Sequence, residues 1–158
     1  LAPELPELHL LLVGDASGTV ETRTLTQRLQ REAAALGIER RVTFSDRVPE
    51  VAPYFALADV YIQASQHEGF GVPLVEAMAA GTPVCAASVA SIPEVVGDAA
   101  LMFDPVNPAD IAVQLDRLLH DAALCQDLVA RGRRQAQRFS WDDAASGVLR
   151  QCHEAVAA

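Results

Sequence analysis

Ser65-Gln66-His67-Glu68-Gly69-Phe70-Gly71-Val72-Pro73-Leu74-Val75-Glu76-Ala77-Met78-Ala79-Ala80-Gly81-Thr82-Pro83-Val84 is the stretch around which the chain is organised. It reads as a strand end, a glycine loop, a short helix and the next strand. Asp59-Val60-Tyr61-Ile62-Gln63, just ahead of it, is apolar and β-prone, as a buried strand requires. Gly69 and Gly71 bracket Phe70 in a loop where backbone can approach a ligand closely. Pro73 suits the first turn of a helix, and Gly81 followed by Thr82-Pro83 ends it. A strand, a glycine turn and a helix start together favour an anion, because unpaired amides and the helix dipole converge there.

Two carboxylates frame this bend, Glu68 in the loop and Glu76 on the helix, eight positions apart. An acid in the loop can accept hydroxyl hydrogens, and an acid about one turn into the helix can reach a second set of hydroxyls beyond a bound phosphate. A molecule with phosphate between two polyols, such as a nucleotide sugar, matches that layout. Spacing alone equally allows a solvated loop acid and an ordinary surface acid on a helix.

Composition narrows the classes. With 158 residues, 51% of them hydrophobic, the chain is long enough for one domain with a proper core. The apolar run Leu8 to Val13 is far too short to span a membrane, and Leu1-Ala2-Pro3-Glu4 lacks the basic start of a signal peptide. Cys85, Cys125 and Cys152 are scattered and odd in number, so buried thiols in a reducing cytoplasm are expected, with no disulfide framework or metal spacing. A formal charge of −9 argues against nucleic acid as a partner. There is no lysine, so every fixed side-chain cation is an arginine, and amides rather than bulk steering must hold an anion.

Taken in order, His9 to Gly14 reads as a buried strand ending at Gly14-Asp15, followed by a loop to Gly18 without G-x-G-x-x-G spacing. Glu21 to Leu36 is an amphipathic helix with Leu25, Leu29, Ala33 and Leu36 on one face, closed by Gly37. A short strand at 41–44 and a helix from Val48-Pro49-Glu50 through Ala58 lead into the central stretch. Beyond it come strands at 83–87 and 100–103, a loop with one helical turn at 88–96, and a helix capped by Asn107 with Pro108 first. A helix over 122–138 comes next, then a last one capped by Ser140 with Asp143 three residues on. Alternating strands and helices predict a Rossmann-like α/β fold, an open parallel sheet with helices on both faces. In such sheets ligands sit at the carboxyl ends of strands. That places Gly14, residues 44–48, the Glu68 loop and residues 88–94 around one pocket. Trp141 reads as a core anchor, and Arg131, Arg133, Arg134 and Arg138 as a solvated basic face.

The run from Glu68 to Val84 resembles the signature of retaining GT-B glycosyltransferases of family 4, which carry two glutamates separated by seven residues. The likeness runs from Leu10 to about Ala145 and is to the C-terminal, donor-binding half of the GT-B fold; Phe139-Ser140-Trp141 resembles the entry to its final helices. The resemblance implies that Glu68 is the catalytic residue, lying by the transferred sugar, where it positions and stabilises rather than attacks. Gly69, Phe70 and Gly71 would offer amides to sugar hydroxyls; His67, by its place in the loop, reads either as a further hydroxyl partner or as a histidine in solvent. Val72 and Leu74 would offer amides to the distal phosphate, while Pro73, with no N–H, only shapes the turn. Glu76 would hold the ribose diol. Gly14 lies at a strand end facing the donor, and backbone near Arg47 and Val48 would read the base. Asp46 and Ser91 stand where many relatives have glycine. The segment 91–100 looks most like the mannosyltransferase branch.

The reaction this resemblance implies is transfer of a hexose, with retention, from a nucleotide sugar, GDP-mannose or a UDP-hexose, to a glycan or lipid-linked acceptor. The resemblance implies no cofactor and no metal, a cytoplasmic location, and peripheral membrane contact by the complete protein. Family members also carry an N-terminal acceptor domain and a further strand bearing an arginine and a lysine that grip the diphosphate. Neither is in these 158 residues, so the chain reads as one domain, residues 1–158, without transferase activity alone. A GT-B phosphorylase or synthase and a non-catalytic nucleotide-sugar-binding module are the rival readings.

Overall fold

A computed structural model describes residues 1, 3–14 and 18–157. The loop expected from Asp15 onward falls partly outside them. The chain divides into two compact units, Leu1–Val51 and Ala52–Ala158.

In the first unit, β1 (Leu10–Val13) pairs in parallel with β2 (Val42–Ser45), Leu10 opposite Val42 and Val13 opposite Ser45. Gly14 N–H donates to the Ser45 carbonyl at 3.2 Å and extends that ladder by one residue. Between the strands lie α1 (Val20–Ala35) and a single 3-10 turn at Glu39–Arg41. Thr19 caps α1, its hydroxyl accepting from Thr22 N–H at 3.3 Å, and Gly37 closes it at φ +67°. The apolar residues are right for these elements, but the expected burial is not observed. Leu10, Leu11 and Val13 are exposed, and on α1 only Ala33 is buried, with Leu25 and Leu36 open to solvent. A two-stranded ribbon has too few layers to cover its own faces.

The second unit holds the core. β3 (Tyr61–Gln63), β4 (Val84–Ala87) and β5 (Ala100–Phe103) form a parallel sheet in that order, so all three carboxyl ends lie at one edge. All four residues of β4 are buried, as expected of a central strand in a covered parallel sheet. The strands thus form parallel sheets flanked by helices, as their alternation with helices predicts, β1-β2 in the first unit and β3-β4-β5 in the second.

The helix after β3 is α3 (Val72–Ala80). It buries Leu74, Ala77 and Met78, packs on β4, and lies against α2 (Ala52–Leu57), α4 (Ile92–Val96) and α6 (Ala122–Ala136). α2 starts later than expected, at Ala52. Its Phe55 carbonyl accepts from the buried Thr82 hydroxyl at 2.6 Å, beyond the far end of α3. On the other side, Gly132 of α6 lets Met78 in: a Cβ there would stand 3.2 Å from Met78 Cγ. Arg133 covers Gly81 where a side chain would otherwise project. Arg131 pairs with Asp98 and Asp127, and Arg138 donates to Gln135 Oε1 at 3.1 Å, so much of the basic run braces α6.

α5 (Pro108–His120) begins at Asn107, whose side chain accepts from Ala109 and Asp110 N–H. α7 (Trp141–Ala157) begins at Ser140, whose hydroxyl accepts from Asp143 N–H at 3.0 Å. Both caps are as expected. Trp141 is 80% exposed, which overturns its reading as a core anchor: it opens a helix with no buried residue among those described. Of the thiols, Cys85 is buried, Cys125 half-buried and Cys152 exposed. Burial pushes the Cys85 thiol up to about 12.

Candidate functional site

The site is built where β3 hands over to α3. Gly71 caps the helix in the left-handed region, φ +87°, and no side chain takes over the first amides. Glycine is required there twice over, since a Cβ would also stand 2.8 Å from Leu74 Cδ1. Gly69 is different: a Cβ at that position meets open space. Phe70 is 42% exposed and rests edge-on against Phe139, ring centroids 5.3 Å apart. Val72 is also partly exposed and its N–H stands at the helix start. Leu74 is not as expected: its N–H donates to the Gly71 carbonyl at 2.9 Å and its side chain is fully buried. Closing the left-handed cap uses that amide internally, so Val72 offers the better-placed N–H to an anion.

Glu68 is held rather than loose. Its Oε1 accepts from Gln63 Nε2 at 2.6 Å and from the Ser65 hydroxyl at 2.7 Å. Its backbone carbonyl accepts from the Ser91 hydroxyl at 3.1 Å, which ties the loop after β3 to the loop after β4. Ser91, noted in the sequence only as a departure from glycine, therefore has a structural job. The sequence did not single out Gln63 or Ser65. The available signal was a polar residue at the end of an otherwise apolar strand, followed two positions later by a hydroxyl.

Glu76 is exposed on α3 and His67 is exposed in the loop. The Tyr61 hydroxyl is pushed well above the usual phenol range by burial, then by the carboxylates of Glu68 and Glu76. One phenol thus feels both acids. Gly14, Arg47 and Val48 belong to the first unit. Gly14 is exposed with open space where a side chain would be.

At the same strand ends a cavity of about 430 Å³ is lined by Gln66, Ser88, Val89, Asp104, Pro105 and Val106. It adjoins the Glu68 loop through Gln66 and includes none of the candidate donor-binding residues. Among the described residues no group of three or more His, Cys, Asp or Glu is placed to hold a metal ion, and no helix is long and apolar enough to cross a membrane.

Comparison with known proteins gives a consistent result. The family described as glycosyl transferases group 1 matches residues 1–135. The O-antigen chain mannosyltransferase B of Escherichia coli is 42% identical over 95 residues, covering 60% of this chain and 25% of that protein. The sucrose-phosphate synthase of Thermosynechococcus elongatus superposes with a TM-score of 0.88 at 28% identity, over 98% of this chain and 40% of that one. The Anabaena protein HepE, solved in complex with UDP-glucose, superposes at 0.81 and 25% identity, over 96% of this chain and 41% of that one. The chain spans a quarter to about a third of the length of the first curated relatives it matches.

Proposed function

The chain belongs to the glycosyl transferases group 1 family, and from that premise we propose that residues 1–158 are the donor-binding domain of a retaining glycosyltransferase. The complete protein moves a hexose from a nucleoside-diphosphate sugar to a sugar or lipid-linked acceptor. The observation that carries this reading is a fixed carboxylate beside an open helix start. Glu68 is clamped through Oε1, and three residues later Gly71 leaves the N-terminus of α3 without a side-chain cap.

In this reading the α3 dipole and the Val72 N–H meet the distal phosphate. Amides of Gly69, Phe70 and Gly71, with His67, face the sugar. Glu68 sets the sugar's orientation and stabilises charge developing at the anomeric centre. Glu76 holds the ribose diol. For Gly14, Arg47 and Val48 the proposal stays with the sequence, with backbone near Arg47 and Val48 contacting the base. The leaving diphosphate departs and the acceptor attacks on one face of the sugar. Catalysis is then mainly electrostatic help to the leaving group, with no metal and no covalent enzyme intermediate. The mannosyltransferase relative supports mannose as the hexose, and the UDP-glucose complex of HepE supports a UDP-hexose. The likeness to sucrose-phosphate synthase keeps a synthase as the second reading.

Thermal-shift titration of the complete protein with UDP, GDP, ADP and their hexose conjugates tests the site. One nucleotide series is expected to raise Tm, and no rise with any of them overturns the reading. Glu68→Gln is expected to lower kcat more than it weakens nucleotide binding, and Glu76→Ala to do the reverse; equal losses in both variants remove the division of roles. The 158-residue chain alone is expected to bind nucleotide at most weakly and to turn nothing over, and robust turnover by it would refute that assignment.

A further inference from the structure

Residues two apart on a strand share a face, so Tyr61 and Gln63 project together from β3. Gln63 is 7% exposed, one of three polar residues buried among those described. A buried amide is costly unless both ends are paired, and packing alone would be served by an apolar side chain of the same length. Both ends are paired here. The Tyr61 hydroxyl donates to Gln63 Oε1, and Gln63 Nε2 donates to Glu68 Oε1 at 2.6 Å and to Ser65 Oγ at 3.3 Å.

The direction of this chain is fixed by its two ends. A carboxylate only accepts, so the amide must turn its NH₂ toward Glu68. The phenol, kept protonated by burial and two nearby carboxylates, supplies the hydrogen that amide oxygen needs. Reversing the amide would set oxygen against carboxylate and strand the phenol. Two donors, Gln63 and Ser65, converge on Oε1, and among the described residues none is recorded at Oε2.

We propose that Gln63, locked by Tyr61, is a positioning residue that ties down Oε1 of Glu68 and so presents Oε2 to a hydroxyl of the donor sugar. This rests on the reading above in which Glu68 lies beside the transferred sugar. The amide's own bonds all go to Tyr61, Ser65 and Glu68, so it acts on a donor through Glu68 and its loss is expected to be felt by ligands carrying the sugar.

Titration of the complete protein with UDP, GDP, UDP-glucose and GDP-mannose tests it. The wild-type protein is expected to bind the matching sugar nucleotide more tightly than its nucleoside diphosphate. Gln63→Met is expected to weaken the sugar nucleotide about tenfold and the nucleoside diphosphate by less than about twofold. Tyr61→Phe keeps the ring and its edge contact with Phe55, at 5.1 Å between centroids. It is expected to weaken only the sugar nucleotide, by about threefold, and it carries the test if the Gln63 variant does not fold. Equal weakening of both ligands marks a merely structural amide and overturns the proposal. So does an undiminished sugar preference, which leaves the donor site itself standing. A wild-type protein that binds the diphosphates with no preference for their sugars overturns it as well. Failure of the complete wild-type protein to bind any of the four removes the donor-site reading, and this inference with it.

Discussion

β1 and β4 are both short apolar strands in parallel pairing, yet every residue of β4 is buried and three of four in β1 are exposed. Their sequences, Leu10-Leu11-Leu12-Val13 and Val84-Cys85-Ala86-Ala87, would rank the other way by hydrophobicity alone. The difference lies in their surroundings. β4 has a bonded strand on each side and α3 packed on it, whereas β1 bonds only to β2 among the described strands. Side-chain hydrophobicity sets what burial is worth, and the number of layers around a strand sets whether it happens.

The largest effect is expected at Leu74, fully buried on α3: Leu74→Ala should cost about 3 kcal/mol in denaturant unfolding of the chain. Leu11→Ala, on a residue 42% exposed, should cost less than about 1 kcal/mol. Equal costs would erase the distinction between the setting of β1 and that of the α3 layer packed on β4. Gly71→Ala should cost about 2 kcal/mol, because an L side chain at φ +87° is strained and meets Leu74. The same variant should lose nucleotide-dependent stabilisation, and unchanged stability would show that the cap relaxes. Thr82→Val removes the buried hydroxyl that holds Phe55 and should cost about 1 kcal/mol.

The smallest effect concerns a carboxylate. Asp110 is held below the usual carboxylate range by the Asp104 N–H, at 2.8 Å, and then by Gln114. A depressed folded-state pKa means a contribution present above the unfolded value and lost as pH falls through the folded one. The stability gap between wild type and Asp110→Asn should therefore be largest near neutrality and close in acid. A gap independent of pH would assign the residue to packing alone.

Legibility in the sequence followed the same division. The bend at Glu68–Gly81 was readable because its signals are local: Pro73 can stand only in a first turn, and the caps Asn107 and Ser140 announce their own helices. The exposure of β1 and Trp141 was not, because burial depends on what else packs there, which no local pattern states. The clamp on Glu68 was also hidden. Gln63 was absorbed into an apolar strand, and its partner lies across a loop whose path the sequence does not specify. The internal use of the Leu74 amide likewise depends on the sign of one torsion at Gly71.

The bond from Ser91 to the carbonyl of Glu68 has a consequence for how such a protein varies. Because one hydroxyl couples two bends, the acid's place in space is inherited jointly, and a substitution 23 residues downstream can re-aim it. Exchanging serine for glycine at that position would free the Glu68 backbone, so the carboxylate's position can be retuned from a residue in another loop.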